Sequence, residues 1–272
     1  MARSAATWDP AIYERYKTYR DRPALDLMLR IPRALEPREI WDLGCGTGEH
    51  AALLKRRHSG ARVHGLDSSA EMLAEGRARP DEIDWVQSDI AAFEPPTPPD
   101  LIFTNAALHW LSGHEVLFPR LMGMLAPGGV FACQMPMSFE APWHVAMRET
   151  AADGPWAEKL AAVTGVQPLA TAETYYDWLK PFASDVDVWS TVYLHALEGE
   201  DPVVDWMRGT GLRPYLQALG GAEEEAGFLD AYRARLELLL PAREDGVTLF
   251  PFPRLFIVAE RSPGPGGAVL RA

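Results

Sequence analysis

Short apolar runs alternate with amphipathic stretches between residues 37 and 135. Ile40–Asp42, Val63–Leu66, Ile83–Ile90, Asp100–Asn105 and Val130–Met135 are too short for helices and are bounded by Gly, Pro or acidic residues. They read as five buried strands. Helical spacing fills the gaps: one helix begins near Gly48, another behind Ser68, and a third runs from about Glu115 to Leu125. Ser68 with Glu71 three residues later is a capping-box pair. Strands in alternation with helices predict an α/β domain with a parallel, doubly wound sheet.

Residues 136–247 lose that rhythm. Helices are expected from Ala141-Pro142, over Thr174–Lys180, behind the Asp201-Pro202 cap, from Leu212, and over Glu223–Leu240. Val186–Leu194 reads as a strand among them, and Thr248–Ala259 as a last strand whose prolines favour an edge or a bulged start. Ahead of the first strand, Tyr13, Tyr16 and Tyr19 share one helical face, and Pro23 fits the first turn of a second helix. The expected organisation is a helical arm over 1–36, an α/β core over 37–135, a mostly helical cap over 136–247, a core strand over 248–261 and a disordered tail over 262–272.

The chain has 272 residues, 47% of them hydrophobic and 24% charged, with a net charge of −12, which is the composition of a soluble globular protein. An acidic surface argues against nucleic acid as substrate, since phosphate contacts need a basic face. Cys45 and Cys133 are far apart and lack metal-ligand spacing, so neither a metal site nor a disulfide framework is suggested. No apolar run reaches the ~20 residues of a membrane span, and the N-terminus lacks an apolar signal region. The cytoplasm is the expected location.

The chemistry centres on Asp42-Leu43-Gly44-Cys45-Gly46-Thr47-Gly48. The spacing is G-x-G-x-G; Glu49 stands where the dinucleotide fingerprint needs its third glycine. That speaks against a nicotinamide-dependent oxidoreductase. Asp42 would be awkward beside a pyrophosphate and suits a cationic ligand. Asp67, Asp89 and Asn105 end the second, third and fourth strands, so all four polar residues gather where open α/β sheets bind ligands. Asp67 is placed for ribose hydroxyls, or else is a solvated acid favoured by the helix dipole. Met72 could cover an adenine. Asp89 could accept from the adenine amino group beside the Ile90 N–H, or be a plain loop aspartate.

Asp-Leu-Gly-Cys-Gly-Thr-Gly, together with Leu125-x-Pro127-Gly128-Gly129 before the fifth strand, resembles the Rossmann-like S-adenosylmethionine-dependent methyltransferases. The resemblance implies a mostly parallel seven-stranded sheet, with a helical cap inserted after the fifth strand. It implies S-adenosylmethionine as cofactor, held by Asp42, Gly44, Cys45, Gly46, Gly48, Asp67, Ser68, Met72, Asp89, Ile90 and Asn105. Arg20 and Arg22 would reach its carboxylate from the N-terminal arm, which otherwise is a plain helical cover. Asn105-Ala106-Ala107-Leu108-His109-Trp110 lacks the Pro-Pro of nucleic-acid amino methylases. His109 and Trp110 would lie near the transferred methyl; His109 could equally be an ordinary core or surface histidine.

Segments outside the general motifs are similar to a narrower family, the trans-aconitate methyltransferases: Trp8-Asp9-Pro10, Arg20-Asp21-Arg22-Pro23, Gln134-Met135-Pro136, His144–Glu149, Gly211–Pro214 and Phe252–Ala259. That implies a small anionic carboxylic acid as substrate, and no base for its activation. Arginine matches carboxylates bidentately, so Arg148, Arg213 and Arg254 are the expected substrate ligands, with Tyr13, Trp143, His109 and Trp110 around them. A methyltransferase for another small acid and a non-catalytic cofactor-binding module are the alternatives.

Overall fold

The structure, a computed structural model, describes residues 17–163 and 167–263. Tyr13, Tyr16 and most of the expected tail fall outside them. Helix α1 spans Lys17–Arg30, followed by β1 Glu39–Leu43, α2 Glu49–Arg57, β2 Arg62–Asp67, α3 Ala70–Arg77, β3 Asp84–Gln87 and β4 Leu101–Asn105. Then come α4 His114–Met124, β5 Val130–Pro136, α5 Pro142–Ala152, α6 Ala157–Leu160, α7 Ala172–Leu179 and β6 Ala183–Leu197. Helices α8 Pro202–Arg208, α9 Arg213–Ala218 and α10 Ala222–Leu239 lead to β7 Thr248–Arg261.

The strands form one seven-stranded sheet in the order β3-β2-β1-β4-β5-β7-β6. Pairs β1/β2, β1/β4, β2/β3 and β4/β5 are all parallel. Strand order reverses at β1, with β2 on one side and β4 on the other. The expected doubly wound sheet of seven strands is therefore observed. Its ligand-binding crevice belongs at the carboxyl ends of β1 and β4.

Several local expectations are corrected. Pro23 lies inside α1 and opens no second helix. Its fixed φ fits the helix, and its missing N–H removes one bond without stopping the turn. The third strand is shorter than Ile83–Ile90, because the Asp89 carboxylate accepts the Ala91 N–H at 2.8 Å and caps a 3-10 turn over Ile90–Ala92. Ser69, and not Ser68, caps α3, accepting the Met72 N–H at 3.2 Å. Asp201 precedes α8 but makes no side-chain cap; its carboxylate pairs with Arg233 at 2.7 Å. Strand β7 lies inside the sheet, between β5 and β6, despite Pro251 and Pro253. Residues two apart send their N–H groups to the same neighbour, so both prolines deplete only one side of the ladder.

The chain divides into two compact units. One takes Arg22–Pro136, Ala170–Thr191 and Leu255–Ala272. Its core is the sheet interior, where Ile40, Leu43, Leu101, Ile102, Phe103 and Phe131 are fully buried. The other takes Met1–Asp21, Met137–Leu169 and Val192–Arg254. Its core is aromatic: Trp143, Trp206, Phe228, Tyr232, Phe250 and Phe252 form one cluster. No helix among the described residues is long and apolar enough to cross a membrane.

Candidate active site

The loop after β1 is built from three left-handed glycines, Gly44, Gly46 and Gly48, at φ 73°, 55° and 78°. A side chain is strained at each. A Cβ on Gly44 would lie 2.3 Å from that of Ala107 in the segment after β4, and one on Gly48 would lie 2.0 Å from the Trp85 ring. Gly46 differs: nothing lies within 4 Å of its Cβ position. The middle of the loop is thus open to a ligand while both ends are packed. Strand β2 fixes the loop, since the Leu66 carbonyl accepts the N–H groups of Gly44 and Cys45 at 2.8 and 3.0 Å. Asp67 completes the anchoring, accepting from Gly46 N at 2.8 Å and from Ser69 N at 2.9 Å.

Asp42, one residue before the end of β1, and Asn105, the last residue of β4, bring unsatisfied acceptors to this edge. Asp42 is 1% exposed, and neither its Oδ2 nor the buried Oδ1 of Asn105 has a hydrogen-bond partner. Buried polar atoms are normally satisfied, so these two acceptors call for a donor. Burial pushes the Asp42 carboxyl up to about 7; nearby Asp67 acts the same way and His50 opposes. A cation placed there would reverse the shift. Cys45 is buried beside them, its thiol pushed well above its ordinary range by burial and then by Asp42 and Asp67, which keeps it protonated.

The remaining expected cofactor residues surround the same edge in sequence order. Ser68 offers its carbonyl to Gln87 at 3.3 Å, and Met72 is half-buried in the first turn of α3. Asp89 is exposed, and Ile90 is buried in the 3-10 turn that Asp89 caps. Arg120, which no sequence motif marks, holds this turn from α4 by donating to the carbonyls of Ile90 and Phe93 at 2.9 and 3.1 Å. Arg22 is exposed and faces Asp26 at 3.9 Å.

After β4 the chain turns sharply. Ala106 takes φ 53°, the only left-handed residue other than glycine among the described residues, and its N–H bonds the Gln134 carbonyl at 2.9 Å. Backbone strain of this kind concentrates at functional sites. A 3-10 turn over Leu108–Trp110 follows. His109 is buried within it, Trp110 is 52% exposed, and their rings lie 4.6 Å apart.

In the other unit, Arg254 is 4% exposed, with its guanidinium 4.6 Å from the Phe252 ring centroid. Burial pulls its pKa down to about 9; Tyr193 opposes, and the Arg20 cation lowers it further. Arg20 stands over the Trp206 ring at 5.0 Å, so each of these two arginines lies against an aromatic face. Arg148 donates to the Phe139 carbonyl at 2.7 Å and covers the Phe139 ring. Arg213 is exposed at the start of α9. Trp143 is core: it is 1% exposed and packs on Phe250 and Phe252.

Residues 40–129 match the family model described as a methyltransferase domain. A protein of Azoarcus sp. (strain BH72) named trans-aconitate 2-methyltransferase is 46% identical over 255 residues, covering 94% of this chain and 99% of that protein. The chain belongs to the trans-aconitate 2-methyltransferase family. Among solved structures, the YcgJ protein of Bacillus subtilis aligns over 89% of this chain and 100% of its own, with a TM-score of 0.58 at 13% identity. Phosphoethanolamine N-methyltransferase 2 of Haemonchus contortus, in complex with S-adenosylhomocysteine, aligns over 89% of this chain and 52% of its own, with a TM-score of 0.53 at 15% identity. At such identities these two structures bear on the fold, which is the one this family of methyltransferases was expected to have.

Proposed function

We propose that this chain transfers the methyl group of S-adenosylmethionine to a carboxylate of trans-aconitate, giving the monomethyl ester and S-adenosylhomocysteine. The observation that carries the reading is the pair of buried, unsatisfied acceptors on Asp42 and Asn105 beside the open backbone of Gly46. Donors with positive charge complement them, and S-adenosylmethionine carries an ammonium and a sulfonium without any phosphate. Family membership at 46% identity supports the choice of acceptor.

When bound, S-adenosylmethionine supplies a sulfonium methyl that a carboxylate oxygen can attack directly. A carboxylic acid titrates near 4, so at neutral pH no residue has to remove a proton. Asp42 and Asn105 receive the cationic end of the cofactor. Asp67, Met72, Asp89 and Ile90 hold the nucleoside, and Gly46 gives it close approach to the backbone. His109 and Trp110 orient the acceptor and keep water out, so catalysis rests on alignment. Arg148, Arg213 and Arg254 receive substrate carboxylates, and Arg20 and Arg22 reach the cofactor carboxylate. Buried, unbridged Cys45 and Cys133 fit a reducing compartment, so the cytoplasm is the proposed setting.

Labelled S-adenosylmethionine incubated with a panel of di- and tricarboxylic acids tests the proposal. A base-labile methyl ester on trans-aconitate, formed fastest in the panel, is expected. Transfer only to other small acids would restrict the reading to carboxylate methylation, and transfer to none would defeat it.

A further inference from the structure

Two buried polar side chains outside the residues discussed so far converge on the turn that carries His109 and Trp110. His114 opens α4, 9% exposed, and Tyr175 lies in α7, fully buried. His114 Nε2 is 2.9 Å from the Leu108 carbonyl oxygen, and His114 Nδ1 is 2.6 Å from the Tyr175 hydroxyl.

Elementary hydrogen-bond chemistry fixes the protons. A carbonyl only accepts, so Nε2 carries the hydrogen; in the neutral ring Nδ1 then accepts, and the Tyr175 hydroxyl donates to it. Burial pushes the Tyr175 phenol well above its ordinary range, so the hydroxyl keeps its proton. Phe118 packs on both rings, at 5.1 Å from His114 and 4.8 Å from Tyr175, and limits their rotation. The Leu108 carbonyl also takes the Leu111 N–H at 2.9 Å, which closes the turn. The turn therefore has two fastenings. At its start the strained Ala106 is tied to β5 through Gln134, and at Leu108 it is tied through His114 to α7.

We propose that Tyr175 and His114 are positioning residues for the methyl acceptor: a hydrogen-bonded strut that sets the orientation of His109 and Trp110 by gripping the Leu108 carbonyl between them and the sheet. The link to the acceptor rests on the methyltransferase reading above.

Two substitutions at His114 separate the ends of the strut. His114→Gln keeps an N–H at the position of Nε2 and so retains the grip on Leu108. His114→Asn keeps a polar atom at the position of Nδ1 and loses that grip. His114→Asn is expected to lower kcat about 10- to 50-fold with S-adenosylhomocysteine affinity within twofold of wild type, and His114→Gln to recover most of that loss. Tyr175→Phe, nearly isosteric and therefore certain to test the idea if His114→Asn fails to fold, is expected to lower kcat about 3- to 10-fold, because the freed ring can adopt the other tautomer. Fluorine NMR of 5-fluorotryptophan protein, with Trp110 assigned through Trp110→Phe, reads the turn without turnover. The Trp110 line should move in His114→Asn and in Tyr175→Phe more than in His114→Gln. Equal losses in His114→Gln and His114→Asn, or an unmoved Trp110 line in both His114→Asn and Tyr175→Phe, would overturn the strut. A moved line in a protein inactive on every acid tested would uphold the strut and defeat the methyltransferase reading instead.

Discussion

Asp67 holds the backbone of Gly46: its Oδ2 accepts the Gly46 N–H at 2.8 Å while Oδ1 accepts the Ser69 N–H at 2.9 Å. One carboxylate thus shapes the cofactor loop after β1 and the entry to α3. Asp67→Ala removes both bonds, each a charged acceptor to a backbone donor. The expected loss is about 1.5–3 kcal/mol of stability per bond at most, together with weaker binding of S-adenosylhomocysteine. Calorimetric titration and thermal melting measure the two effects. Unchanged affinity in the variant would take Asp67 out of the cofactor site.

The Asp42 carboxyl, raised to about 7 by burial, gives stability and binding opposite pH slopes. Its folded value lies above the unfolded one of roughly 3.9. The stability this group contributes is therefore complete below about pH 4 and is lost as pH rises through about 7. A cationic ligand favours the ionised form, so S-adenosylmethionine should bind more tightly at pH 8 than at pH 6. Asp42→Asn should melt higher than wild type at pH 8, bind the cofactor more weakly, and lose both slopes. Wild-type affinity that is flat over this range would show that Asp42 meets no positive charge.

If His109 faces the acceptor as proposed, a phenol or amine acceptor would need it as a base. A general base contributes about 10²- to 10⁴-fold. For a carboxylate acceptor, His109→Asn should lose less than the lower of these, since Asn still donates a hydrogen bond. The kcat profile should stay flat between about pH 6 and 8, any limb near neutrality appearing in cofactor binding through Asp42 alone. A larger loss, with disappearance of a wild-type limb in kcat, would point to a hydroxyl or amine acceptor.

Arg254 carries its charge at a disadvantage, its pKa pulled down to about 9 by burial and by Arg20. A depressed value on a base means that protonation works against folding at neutral pH. The proposed substrate contact gives a reason to keep it. Arg254→Met, similar in length and without charge, should raise KM for trans-aconitate at least tenfold, leave cofactor affinity unchanged, and not lower the melting temperature. Normal turnover by the variant would remove Arg254 from the substrate site.

The sheet and the cofactor loop were legible because their signals are local. A short strand followed by glycines at fixed spacing leaves few backbone paths, and Gly46, Asp67 and Asn105 stand where their positions in sequence placed them, while β1 runs one residue past Asp42 to Leu43. Choices between near-equal neighbours were not legible. Ser68 and Ser69 have the same capping chemistry, and only the bend after Asp67 selects the second. Trp143, read as a substrate contact, is buried because Phe250 and Phe252 arrive from more than a hundred residues away. The grip of His114 on Leu108 depends on Tyr175, 61 residues distant from His114, and no periodicity announces it. The left-handed Ala106 gives no sign at all, because alanine has no preference for that conformation.

Trp85 packs against three glycines at once: a Cβ on Gly48, Gly65 or Gly76 would come within 2.0, 2.9 or 2.8 Å of its ring. The four positions therefore form an epistatic lock. Any side chain at one of the glycines must wait for a smaller residue at 85, while truncating the half-buried indole first leaves a hollow beside the cofactor loop and loses its packing on the glycines. Neither order offers a tolerable intermediate. Drift in this family should leave Trp85 and its glycines standing together, or replace them together, whatever acid the rest of the chain comes to recognise.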